Sequence, residues 1–158
     1  MSKISRAQAL LAGLWAGLIV GVGAVAAPSL FAVLDRPLAG TGAGRIFTVE
    51  ARISLFVAIV LFVLERRRVR ALAEAQGGSG SVAMTTNLLL VLGALFFTVF
   101  GEFALRPMMD AAKNGLPTAL SFGALHGVSA VLFWLKGLLV IVLAWRLTAP
   151  SRGSSAER

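Results

Sequence analysis

The sequence predicts an all-α integral membrane protein, a four-helix bundle with both termini on one side of the bilayer. Three observations predict it. Four long apolar segments alternate with short polar connectors, hydrophobic residues make up 58% of the 158 residues, and only 14% are charged. A mean hydropathy of +0.87 is too apolar for a soluble domain of this size. A bilayer core is about 30 Å thick and a helix rises about 1.5 Å per residue, so roughly 20 apolar residues cross it. The chain reads as one membrane domain over 1–148, with spans near 8–34, 46–64, 83–105 and 118–146.

The first span carries no charged residue from Ala7 to Leu34. Lys3 and Arg6 precede it, and Ala24-Val25-Ala26 resembles a signal-peptidase site. Signal h-regions run about 7–15 residues. This segment continues through Phe31 and Leu34, so an uncleaved first span is expected. Ala9, Gly13, Gly17 and Gly21 recur at every fourth position and form a strip of nearly bare backbone. In lipid, burying apolar side chains gives little preference for helix contact, and such strips permit close van der Waals approach. Gly13, Gly17 and Gly21 are therefore the expected helix-packing residues. Another helix of the same chain is the preferred partner, and a second copy or another membrane protein is the alternative.

The second span has an uninterrupted apolar run only from Ile53 to Leu64, about 18 Å of helix. Extending it back to Ile46 gives a crossing length and carries Glu50 and Arg52 near the outer leaflet. The alternative is a re-entrant or interfacial segment. Glu50, Ser54 and Ala58 share a helical face, which brings the Ser54 hydroxyl within reach of the Glu50 carboxylate. Arg52 points about 200° from Glu50 and is expected to snorkel to the headgroups.

A basic cytoplasmic connector over 65–82 holds Arg66, Arg67, Arg68 and Arg70, then a flexible QGGSGS linker at 76–81. The arginines read as a stop-transfer anchor, or alternatively as a cluster attracting anionic lipid at about 1 kcal/mol per basic residue. The third span is uncharged from Ala75 to Gly101, with Asn87, Ala94, Thr98 and Gly101 forming a polar stripe that Glu102 adjoins. It is expected to face inward. In the fourth span His126 is the only ionisable side chain from Leu116 to Leu135, and Lys136 follows. Those two lie about 15 Å apart along the axis and about 80° apart around it, with Ser129 nearly in line with Lys136. The tail over 149–158 is expected to be disordered.

Basic residues set the orientation. Lys3, Arg6, the four connector arginines, Arg146, Arg152 and Arg158 fall on one side; Arg36, Arg45, Arg52, Arg106 and Lys113 fall on the other. The richer side is cytoplasmic. The formal charge of +8 thus reflects topology in a bacterial inner membrane. Membrane lipids are the expected partners, and a nucleic acid is not.

Intramembrane ionisable groups cost about 2.5–3.5 kcal/mol at mid-bilayer on insertion scales and often mark function. Glu50, Glu102 and His126 lie at similar expected depths. They are expected to meet in an outer polar pocket for a proton, a metal ion or a small solute, with Ser54, Ser129 and Lys136 as further ligand-binding candidates. The competing readings are a hydrogen-bonded cluster that fixes helix register, and a Lys136 stem that snorkels inward. The chain has no Cys and one His, too few ligands for a closed zinc site. No phosphate-binding loop, GxSxG elbow or dinucleotide fingerprint occurs. No catalytic residue is assigned, and a non-enzymatic role is expected.

Ala27-Pro28-Ser29-Leu30-Phe31, Leu38-Ala39-Gly40, Gly44-Arg45-Ile46-Phe47, Trp15-Ala16-Gly17 and Leu125-His126-Gly127-Val128-Ser129 together carry a resemblance. Through them the chain, over roughly residues 10–145, resembles the transmembrane-protein-205-like family, DUF4149. That resemblance implies a four-helix membrane protein, with animal relatives linked to platinum-drug resistance, and supplies no catalytic residues. It also bears on the first connector. Pro28 would cap or kink the outer end of the first helix. Pro37 suits the first turn of a new one, and Leu38–Phe47 would form a short amphipathic or interrupted lead-in to the second span, with a plain loop as the alternative.

Three functions fit this sequence. One is solute, proton or metal-ion binding or movement through the outer polar cluster. Another is a structural or partner-binding bundle acting through the glycine face of the first span. The third is a haem-binding or redox protein. There, haem b would be held by His126, with a second ligand from another copy as an option, as the layout's distant similarity to copper-resistance D-like proteins and membrane protoporphyrinogen oxidases implies. Copper held with help from Met108 and Met109 is a variant of it.

Overall fold

A computed structural model describes residues 3–75 and 84–149. Each apolar segment is a helix: α1 Lys3–Val33, α2 Arg36–Ala75, α3 Thr86–Lys113 and α4 Phe122–Thr148. All four are long and apolar enough to cross a membrane, and no strand occurs among the described residues. The expected linker at 76–81 and the tail from 150 onward lie outside the described residues.

Local chemistry fixes the helix ends. Asp35 Oδ1 accepts the Leu38 backbone N–H at 2.9 Å ahead of α2, Thr85 Oγ1 accepts from Leu88 at 3.2 Å ahead of α3, and Ser121 Oγ accepts from Ala124 at 3.3 Å ahead of α4. Each side chain satisfies a donor that the helix itself cannot. Past the end of α3, Gly115 adopts φ 72°. Its N–H bonds to the Ala112 carbonyl and that of Leu116 to the Ala111 carbonyl, a Schellman stop that favours glycine.

Two helices widen into π geometry, α1 over Gly21–Ala26 and α3 over Gly101–Leu105. Each widening sits just ahead of a proline. Pro28 and Pro107 cannot donate to the carbonyl four residues back, and their rings crowd it. Those carbonyls belong to Ala24 and Phe103, both inside the π segments, where the looser winding makes room. The two prolines thus perturb the helices without ending them.

The 40-residue α2 is about 60 Å long, twice the hydrocarbon thickness. The helical lead-in expected over Leu38–Phe47 is therefore real but uninterrupted, continuous with the second span. At its other end the helix runs on through the arginine cluster. So continuous a helix argues against the re-entrant alternative, and the helices long and apolar enough to cross number four among the described residues.

The helices pack in a ring, α1 against α2 and α4, and α3 against α2 and α4. Both described termini thus lie at one end (the terminal end), and the two described connectors at the other (the loop end). The core joins Ala12, Trp15 and Ile19 of α1, Val57, Ala58 and Leu61 of α2, Val91 and Ala94 of α3, and Val140 and Leu143 of α4. Outward, Leu10, Leu14, Phe31, Phe56, Phe96, Leu138 and Trp145 are exposed. So broad an apolar exterior would aggregate in water and suits lipid.

The expected packing of the glycine strip against another helix of the same chain is corrected here. A Cβ added at Gly13, Gly17 or Gly21 would meet nothing within 4 Å. The glycines in the tightest helix contacts are Gly23, Gly93 and Gly137, whose added Cβ atoms would lie 2.6 Å from Phe133 Cε1, 2.9 Å from Leu139 Cδ1 and 3.2 Å from Ile19 Cγ2. The reason lies in α1's other stripe. Gln8, Ala12, Trp15 and Ile19 are all buried, and their four-three-four spacing marks one face. Gln8 and Trp15 carry donors that lipid cannot satisfy, so that face turns inward. Gly13 and Gly17 each lie about 200° from Trp15 and are left outside.

Candidate functional site

Polar side chains collect at three levels of the bundle. The central level is built on Glu50, 14 residues from the start of α2, and Lys136, 14 residues from the start of α4. Each lies about 21 Å along its helix from the loop end, so the two meet level. Lys136 Nζ donates to both carboxylate oxygens of Glu50, at 2.8 and 2.7 Å. Ser54 Oγ donates to Glu50 Oε1 and accepts from Trp15 Nε1 at 2.7 Å. The ammonium also lies 4.9 Å from the centre of the Phe133 ring, which meets Phe47 edge-on at 5.1 Å. Glu50 and Lys136 side chains are only 2% and 5% exposed. The expected contact between Ser54 and Glu50 is present.

The expected meeting of Glu50, Glu102 and His126 is not. No hydrogen bond or ion pair joins them among the described residues. Glu102 pairs instead with Arg106 one turn on, Nη1 to Oε2 at 3.2 Å. His126 is exposed, its ring stacked on Phe122 with centroids 6.0 Å apart. Ser129 is half-buried and takes no part in the Glu50 network. Starting the second span at Ile46 set Glu50 too shallow. With α2 beginning at Arg36, Glu50 sits level with Lys136, so Lys136 does not snorkel away.

At the terminal end the buried Glu65 accepts four hydrogen bonds from three residues. Arg68 donates from Nε and Nη2 at 2.9 and 2.8 Å, Gln8 Nε2 at 3.0 Å and Thr85 Oγ1 at 3.2 Å. This knot ties α1, α2 and the cap of α3 together, and Arg146 of α4 donates to Asn87 Oδ1 of α3 at 3.0 Å. Asn87 and Thr98 are buried, as the inward stripe on the third span requires. Thr98 bonds only the carbonyl of Ala94, at 2.8 Å.

At the loop end α2 and α3 part around an open cleft of about 500 Å³, within the range of small-ligand sites. Two facing stripes line it. Thr41, Arg45, Thr48 and Arg52 recur on α2 at intervals of four, three and four; Glu102, Arg106, Asp110 and Lys113 recur on α3 at four, four and three. Either spacing holds one helical face. Arg106 braces the cleft, donating from Nη2 to the Gly44 carbonyl at 3.2 Å while Nη1 holds Glu102. Arg45, Arg52 and Lys113 make no ion pair among the described residues. Of the residues expected to bind a ligand, only Glu102 lines this cleft. The spacing of both stripes is visible in the sequence, but the arginines there count first as topology signals.

Among the described residues no three His, Cys, Asp or Glu side chains gather to hold a metal ion.

A family model described as a domain of unknown function (DUF4149) matches residues 10–117. No curated protein and no solved structure matches the chain.

Proposed function

As the chain belongs to the DUF4149 family, a family of unknown function, and is a multi-pass helical membrane protein, we propose that it works by binding an anionic group in the loop-end cleft, without catalysis. One observation carries this reading. The cleft gathers Arg45, Arg52, Arg106 and Lys113 against only Glu102 and Asp110, and three of its four cations have no ion-pair partner among the described residues. Unpaired guanidinium groups hold carboxylate or phosphate oxygens in charge-assisted, often bidentate bonds. Thr41 and Thr48 place hydroxyls on the same stripe, although both already donate within α2, to the carbonyls of Pro37 and Gly44.

Binding is favoured over conduction. Below the cleft the Glu50–Lys136 pair bridges diagonally opposed helices, with every hydrogen bond of the carboxylate directed to this chain. The excess of Lys and Arg at the terminal end supports cytoplasmic termini, with the cleft on the outer face of the membrane.

Titration of inorganic phosphate and of succinate into detergent-purified protein, followed by thermal melting, tests the site. A saturable rise in melting temperature that is lost in the Arg45→Gln, Arg52→Gln double variant is expected, weakening as salt rises. No shift with any phosphate- or carboxylate-bearing probe, lipid included, refutes the proposal. Reporter fusions on the two ends test the orientation; reporters on opposite faces overturn it.

A further inference from the structure

The cleft does not stand alone. A second hollow of about 200 Å³ lies between α1 and α2, lined by Leu18, Val22, Ile46, Val49 and Ile53, with Arg45 and Glu50. Its wall is aliphatic apart from those two, and Glu50 is already saturated by Lys136 and Ser54. Arg45 belongs to both hollows. A basic chamber and an apolar groove therefore meet at one guanidinium. From Arg45 the groove follows α2 inward to Ile53, eight residues or about 12 Å.

Depth gives the second observation. Arg45 and Glu65 are 20 residues apart on the unbroken α2, about 30 Å, the thickness of a hydrocarbon core. With the Glu65 knot at one boundary, Arg45 stands at the headgroup level of the other. Val49 and Ile53 are 41% and 40% exposed, so the groove opens sideways toward lipid.

Resting on the reading of the cleft as an anion site, we propose that its occupant is a membrane phospholipid. The phosphate is held by Arg45 together with Arg52 or Arg106, and an acyl chain descends the groove between α1 and α2. Charge complementarity at the head and an aliphatic wall beneath it, in that order from the membrane surface, match this one class of molecule. A free phosphate or dicarboxylate would use only the cleft.

The test uses full-length protein in a neutral detergent and reads melting temperature against added dioleoyl-phosphatidylglycerol, dioleoylglycerol and inorganic phosphate. Phosphatidylglycerol is expected to shift melting at concentrations at least ten-fold lower than phosphate, and dioleoylglycerol to do nothing. Arg45→Gln should abolish both anion responses. Val49→Trp, which fills the groove, should remove the lipid's advantage and leave the phosphate response intact; Leu18→Trp on the opposite wall serves where that variant fails to fold. Equal responses to lipid and phosphate, untouched by either tryptophan, would overturn the lipid proposal and leave the anion site standing. A phosphatidylglycerol response retained in Arg45→Gln, Arg52→Gln would mean ordinary annular lipid and overturn the lipid proposal; a phosphate response retained there overturns the anion site as well. Silence toward every anion does the same.

Discussion

Lys136 on α4 reaches across the bundle to Glu50 on α2 and donates to both carboxylate oxygens, at 2.8 and 2.7 Å, where neither side chain is more than 5% exposed. These helices are diagonal neighbours, so the pair crosses the interior. Removing one partner of a buried pair leaves a charge uncompensated and costs about 3–5 kcal/mol, whereas replacing both is close to neutral. Lys136→Met should therefore lower stability by about that amount. The double variant Glu50→Gln, Lys136→Met should recover most of it, because a glutamine at position 50 still accepts from Ser54. A denaturation cycle in mixed micelles measures the coupling; single variants within about 0.5 kcal/mol of the parent would show the pair to be dispensable.

The knot at Glu65 behaves differently, because its members are unequally satisfied. Glu65 accepts from Arg68, Gln8 and Thr85. Glu65→Ala strands those donors and should cost about 1.5–3 kcal/mol, the range for hydrogen bonds to a charged group. Gln8 spends one amide donor on Glu65, while its own Oε1, buried, has no partner. An unpartnered buried carbonyl is itself a penalty. Gln8→Met, which deletes the bond and the orphan together, should change stability by less than about 1 kcal/mol. Equal losses from the two variants would contradict this accounting.

Four helices of membrane-crossing length, the pairing of Ser54 with Glu50 and the inward stripe of Asn87 and Thr98 are legible in the sequence, because each depends on composition or spacing within one helix. The partner of Glu50 is not. It depends on how far α2 extends beyond the membrane, and that is set by Asp35 capping a helix through Gly40, Gly42 and Gly44, residues that permit a loop equally well. The rotation of α1 is legible in principle, since Gln8 and Trp15 share one face and both need polar partners. Glycine spacing alone favours the opposite face.

That rotation yields a contrast between glycines no more than six residues apart in the chain. A methyl at Gly23 would lie 2.6 Å from Phe133 Cε1 and 3.1 Å from Trp134 Cζ2. Overpacking of this kind costs typically 1–3 kcal/mol. At Gly21 and Gly17 the same methyl meets nothing within 4 Å, and alanine is the better helix former by about 1 kcal/mol. Gly23→Ala should destabilise the bundle, while Gly17→Ala and Gly21→Ala should be neutral or mildly stabilising. Melting temperatures in one detergent decide it; the reverse order would place the Gly17 face against another helix.

Glu102 gives the cleft its most discriminating variant. Its carboxylate neutralises Arg106 at 3.2 Å, and the same guanidinium is anchored on the other side by the Gly44 carbonyl. Glu102→Gln leaves that second anchor in place while removing one negative charge from the wall, so the brace survives and the field toward an anion strengthens. One unit charge about 8 Å away in water-like surroundings is worth about 0.5 kcal/mol, a two- to threefold gain in phosphate affinity. Arg106→Gln acts the other way, deleting a cation and the bridge to Gly44, and should weaken binding at least ten-fold. If the Glu102 carboxylate instead contacted the ligand directly, as a cation site requires, Glu102→Gln would weaken binding and a divalent metal would compete. Phosphate titrations of the two variants, with and without magnesium, separate these outcomes by sign alone.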